Sequence, residues 1–161
     1  MKITAALSLL TTGGLALEIS TWLNSSASEP FQHLNQTEAN VVNAIGGAAF
    51  PSGDILELSG DDAALDRFFD TVLHTMTNQN RTLLKLLLET IEHYTVLSHG
   101  SYFSNLDTQE RQRLIELWLE DDHHLFRGAI QSIIVLLGMG YTAHPIASEH
   151  LSQYFRCGFG V

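Results

Sequence analysis

The sequence predicts an all-α protein, a single-domain bundle of about five or six helices that ends in an irregular tail rich in glycine and aromatic residues. Three observations predict it. Apolar residues recur at three- and four-residue spacing through every long segment. Two segments open on a polar cap with glutamate three residues later. No stretch sustains the two-residue alternation of a strand, and no Asn-Gly pair marks a hairpin.

The first strong helix is "LNQTEANVVNAIGGAAFPSG". Asn35 stands three residues before Glu38, as in a capping box. Val41, Val42, Ile45, Ala48 and Ala49 follow at helical spacing, and Pro51 and Gly53 stop the helix. Gly46-Gly47 inside it costs roughly 1 kcal/mol per glycine against alanine. Close backbone packing at that pair is the expected compensation. A second helix, in "SGDDAALDRFFDTVLHTM", has Ser59 or Asp61 as its expected cap. Leu65, Phe68, Phe69, Val72, Leu73 and Met76 form one broad face.

"NRTLLKLLLETIEHYTVLSHG" is apolar almost all round, with Leu83, Leu84, Leu86, Leu87, Leu88, Ile91 and Val96. That pattern predicts the central helix of the bundle, ended by Gly100. Asp107 and Glu110 form the second capping-box pattern. Leu114, Ile115, Leu117, Trp118 and Leu119 supply the apolar side of the helix that follows. Asp121-Asp122 is the expected cap of a helix from His123 to Leu137, whose stretch "AIQSIIVLLGMG" reads as buried. Beyond it "YTAHPIASEHLSQYFRCGFG" shows no clear period.

Composition narrows function. The 161 residues carry 8 Lys+Arg against 18 Asp+Glu, a formal net charge of -10. No basic stripe is present, which argues against a nucleic-acid partner and against docking on anionic lipid. Charged residues are 16% of the chain, below the usual ~25%, so a large interface is one expectation. Cys157 is alone, which rules out an internal disulfide. No Cys-x-x-Cys-His, Gly-x-Gly-x-x-Gly or Walker loop occurs. The chain therefore lacks the fingerprints of c-type haem attachment, dinucleotide binding and phosphoryl transfer. No cofactor is expected in this chain.

Residues 1–27 form an apolar N-terminal segment. Lys2 precedes an apolar run from Ile3 to Leu17, and Ser25 and Ala27 occupy the small-residue positions of a cleavage site. Glu18 interrupts the run and no arginine pair precedes it. An export signal, a retained membrane- or partner-facing helix and an amphipathic packing helix all fit. Periplasmic or membrane-associated localisation is favoured, with a cytoplasmic one left open.

Chemistry could gather at two places. Asp121, Asp122, His123 and His124 are adjacent, and His144, Glu149 and His150 follow near the end. Helical metal ligands that share a face are normally three or four apart. His123 and His124 are neighbours, and His144 and His150 are six apart across Pro145. No nucleophile elbow is present, and no local base accompanies Cys157. Catalytic, cofactor-binding and metal-ligating residues are therefore not assigned. The tail is the more specific feature. Its glycines, Gly138, Gly140, Gly158 and Gly160, permit close approach. Tyr141, His144, Pro145, Tyr154, Phe155, Arg156, Cys157 and Phe159 are the candidate partner-interface residues, because interfaces concentrate aromatics and arginine. Folding of the tail back over its own bundle is the competing expectation. If the tail is an interface, truncation after Gly140 spares the bundle.

The order "LNQTEANVVNAIGGAAFPSG", "LDRFFDTVL", "LDTQERQRLIELWL" and "GMGYTAHP" resembles the gluconate 2-dehydrogenase subunit 3 family, over roughly Leu34 to Gly160. The resemblance implies a helical accessory subunit, residues 34–161, that is not itself catalytic. It implies a large FAD-containing partner of the glucose–methanol–choline oxidoreductase type, whose FAD stays in that partner, and sometimes a cytochrome subunit. It also implies help in stabilising or exporting the flavoprotein. The missing arginine pair departs from many members and touches the export role. Two rivals stand beside it. One is a small metal- or thiol-dependent enzyme using His123, His124, His144, His150 and Cys157. The other is a stand-alone helical protein that binds an apolar ligand.

Overall fold

The computed structural model describes residues 27–53, 56–122 and 124–154. Among them it is all helical, with six α-helices and no strand. A strap, residues 27–34, leads into α1 (Gln36–Ala49). After a turn-rich connection come α2 (Leu65–Thr75) and α3 (Asn78–His99). A single 3-10 turn (Phe103–Asn105) precedes α4 (Thr108–Leu119), and α5 (His124–Ala143) and α6 (Pro145–Tyr154) complete the order.

The central helix is α1, not the leucine-rich α3. Nine of fourteen α1 residues are buried, against four of twenty-two in α3. Helix α1 packs against α2, α3, α4 and α5 in turn. Small side chains make this feasible. Ala39, Ala44, Gly46, Gly47 and Ala48 are all buried and let four neighbours approach one axis. In α3, Leu88 and Ile91 reach the core, whereas Leu83 and Leu97 are exposed. The α3 run is amphipathic with an apolar outer side.

The Gly46-Gly47 pair is compensated as expected. A Cβ on Gly46 would run into Leu65 Cδ1, and one on Gly47 into the Asp61 carboxylate. From the other side, a Cβ on Gly60 would overlap the Gly46 carbonyl. Backbone thus meets backbone, and the Gly60 N–H donates to Phe50 O at 2.7 Å. This close crossing explains why α2 starts late. Ser59 caps only a local turn, accepting from the Asp62 N–H at 3.2 Å. Helix α2 begins at Leu65 behind Ala64, whose φ of 50° is left-handed, and has no side-chain cap.

Both predicted N-caps are present, the first as a full capping box and the second as its N-cap half. Asn35 Oδ1 accepts from Glu38 N–H at 2.9 Å, and Glu38 Oε2 accepts from Asn35 N–H at 2.8 Å. Asp107 accepts from Glu110 N–H at 2.9 Å. Asp121-Asp122 is the expected cap of α5, but the helix begins at His124, and His123, the position before it, lies outside the described residues. Instead, the Asp121 carbonyl accepts from Arg127 at 3.2 Å.

A polar clamp fastens the strap. The Asp70 carboxylate on α2 accepts the backbone N–H groups of Gln32 (2.9 Å), His33 (2.8 Å) and Leu34 (2.9 Å). Burial pushes that carboxyl up. The three N–H donors outweigh it and hold the group below its usual range. Lys85 on α3 donates to the His33 carbonyl at 2.8 Å and lies 3.2 Å from Glu38. Glu38 is fully buried, and burial raises its pKa. The capping box and this clamp meet at one carboxylate, so the start of α1 is fixed from two sides.

Candidate interaction face

Helix α5 is the most apolar element, and the sixteen residues from Gly128 to Ala143 carry no charge. Ile130, Ile133, Leu137 and Gly140 point inward, three and four apart, and are buried. Gly140 leaves room for the Phe68 ring of α2, and Gly138 lies against Phe50. That accounts for one apolar stripe.

A second stripe runs along the outside. Leu125, Gly128, Ser132, Val135 and Met139 are also spaced three and four apart, over about 21 Å of helix. Leu125 is 92% exposed, and Val135 and Met139 are each 60% exposed. Gly128, Gln131, Ser132, Val135, Leu136 and Met139 line an open groove of about 520 Å³. Ile146, at the start of α6, is 53% exposed. By length and composition alone α5 could cross a membrane, yet only 22% of its most apolar window is buried in the bundle. The "AIQSIIVLLGMG" stretch, read from sequence as buried, is therefore buried on one side only. Two apolar faces on one helix look like a fully buried helix in sequence.

The tail reading changes over its first half. Tyr141, Thr142 and Ala143 are the last turn of α5, and Pro145 through Tyr154 form α6, so residues 141–154 are helical except at the His144 bend, and not irregular. The cause is physical. Pro145 lacks an N–H but is tolerated at a first helical position, so it ends one helix and begins another. Across that corner, Ser148 N–H donates to His144 O at 2.8 Å. Ala147 of α6 is fully buried.

The candidate interface residues separate accordingly. Tyr141 is tied inward, its ring stacked on Phe50 at 4.9 Å and its hydroxyl donating to Leu58 O at 2.7 Å. Burial raises its phenol pKa. His144 is half-buried, with Nδ1 buried and lacking a hydrogen-bond partner. Pro145 is exposed. Tyr154 is the last residue of α6. Phe155, Arg156, Cys157 and Phe159 lie outside the described residues.

Of the histidines weighed for metal or enzyme chemistry, His124 faces Arg127 at 2.7 Å and His144 turns the α5–α6 corner. His123 and Cys157 lie outside the described residues. Among the described residues no three His, Cys, Asp or Glu side chains converge. Sequence reasoning missed the outer α5 stripe. Its signal was present, as a second three-and-four pattern inside an uncharged stretch.

Because Tyr141 and Ala147 belong to the core, truncation after Gly140 should not spare the bundle. Tyr141→Ala alone should cost about 2–3 kcal/mol, below the roughly 3–5 kcal/mol for fully buried core aromatics because the ring is half-buried. Thermal unfolding checks this, and an unchanged midpoint would show that the stack contributes nothing.

No family model, no curated protein and no solved structure matches this chain.

Proposed function

We propose that this chain is a non-catalytic helical accessory subunit that binds and stabilises a large FAD-dependent dehydrogenase of the glucose–methanol–choline type. The observation that carries the reading is the outer α5 stripe. An uncharged, three-and-four-spaced face with Leu125, Val135 and Met139 in solvent has the form of a groove for a partner helix. The family resemblance over residues 34–160 supplies the identity of that partner. Substrate oxidation belongs to the partner's FAD, and this chain supplies contact area. A cytochrome subunit joins in some such complexes. A periplasmic or membrane-associated site follows from the same resemblance and from the apolar N-terminal segment.

Co-purification tests it. The tagged chain, isolated from its native host, should carry a much larger protein with stoichiometric flavin absorbance and dye-linked sugar or alcohol dehydrogenase activity. The chain purified alone should have no flavin band and no turnover. Flavin or turnover in the isolated chain would overturn the accessory role, and a large partner without flavin would overturn the dehydrogenase assignment.

A further inference from the structure

The strap clamp contains a pair of groups that the accessory role does not use. His33 Nε2 lies 3.3 Å from His74 Nδ1, and the ring planes are inclined by 33°. The residues are 41 apart in sequence and meet only because Asp70 holds the strap on α2. Two nitrogens bound to one tetrahedral zinc at 2.0–2.1 Å are themselves about 3.3–3.4 Å apart. The observed separation matches that of such a ligand pair, and it is also within reach of an N–H···N hydrogen bond between the rings.

We propose that the His33 and His74 imidazoles form a two-point binding site for a divalent transition-metal ion of the zinc class. Water occupies the remaining coordination positions. Imidazole is a ligand suited to zinc, copper and nickel. His74 is exposed and His33 half-buried, so an ion can reach both rings and keep its waters. The His33 main chain is held at both ends, its N–H by Asp70 and its carbonyl by Lys85. The ring is thus positioned before any ion arrives, which lowers the ordering cost of binding.

Charges of both signs surround the pair, Arg81 and Lys85 against Asp70. Asp70 supplies a fixed negative charge beside the pair. Arg81 is directed to carbonyls, donating to Leu73 O at 3.0 Å and Met76 O at 3.2 Å. Lys85 is matched by Glu38 at 3.2 Å. In the metal-free pair one ring donates its N–H to the other. Starting from that neutral pair, binding needs only a tautomer shift in the donor ring and releases no net proton. An ion seated here would link the strap to α2.

The full chain is titrated with zinc chloride in a chelator-free buffer, and the melting temperature is followed. An ion present at about tenfold its dissociation constant should raise Tm by about 3–6 °C. His33→Ala and His74→Ala should each abolish the rise, whereas His124→Ala should leave it intact. His33→Ala removes the ring and keeps the backbone bonds to Asp70 and Lys85, so the strap stays clamped. A second measurement needs no variant. Imidazole NMR signals of His33 and His74 should move together and saturate at one equivalent of zinc. No Tm rise, an equal rise in the two alanine variants, or ring signals that move independently would overturn the site.

Discussion

Asp70→Ala should destabilise the fold by about 3 kcal/mol and lower Tm by about 6–12 °C. One carboxylate accepts three consecutive backbone N–H groups, from Gln32, His33 and Leu34. Each bond to a charged group is worth roughly 1.5–3 kcal/mol, but the three act as a unit and do not sum. Gln32 is exposed, so water can replace the carboxylate there. Leu34 is fully buried, and its N–H has no such route. The loss should therefore exceed that of a single bond and fall short of three. Asp70→Asn keeps one acceptor oxygen and should lose about half as much. Urea unfolding should show a lower midpoint with an unchanged m-value, since the surface exposed on unfolding stays the same. A loss below about 1 kcal/mol for Asp70→Ala would mean that solvent satisfies the strap and the clamp is incidental.

The strap also shows what could be read from the chain and what could not. The start of α1 was legible, because Asn35 and Glu38 are three residues apart and their reciprocal bonds are local. Asp107 was legible as an N-cap because its bond from Glu110 N–H is equally local. The partners of Asp70 are 36 to 38 residues away, and no periodicity reports such a distance. His33 and His74 went unread on the same grounds. The rank of helices by burial was misread because hydrophobicity measures what a helix can bury, not how many neighbours can reach it. Helix α3 has larger apolar residues, yet α1 takes the centre because its alanines and glycines allow closer approach. The late start of α2 belongs to the same crossing, since Gly60 must meet Gly46 before the chain is free to coil. In the tail, which showed no clear period, Pro145 is a first helical residue. A proline is compatible with ending a helix or beginning one, and only the residues after it decide. The outer face of α5 is where sequence and structure differ most usefully for function. Its apolar pattern was visible, and its exposure was not.

That exposure sets the second large effect. Val135→Glu combined with Met139→Glu should leave stability of the isolated chain within about 0.5 kcal/mol of the parent and cut association with the proposed flavoprotein partner by roughly a thousandfold or more. Both positions are 60% exposed, so a carboxylate at either remains hydrated in the free chain. They are four apart on one face and line the same groove, so a partner helix seated there would cover both. A hot-spot truncation typically costs about 2 kcal/mol or more, and each 1.4 kcal/mol is about tenfold in affinity. A charge in place of an apolar side chain adds the cost of desolvating it without a counter-ion. No positive residue of α5 beyond Arg127 is available from this chain to compensate, because the helix is uncharged from Gly128 onward. The comparison variant is Arg113→Glu on α4, an exposed position outside the groove, which should retain the partner despite carrying a charge reversal of its own. Pull-down from the native host, read by flavin absorbance per mole of chain, separates the outcomes. Full retention of the flavoprotein by the double variant would exclude the α5 stripe as its contact face. Equal loss in the Arg113 variant would show that the overall acidity of the chain, and not the stripe, governs association.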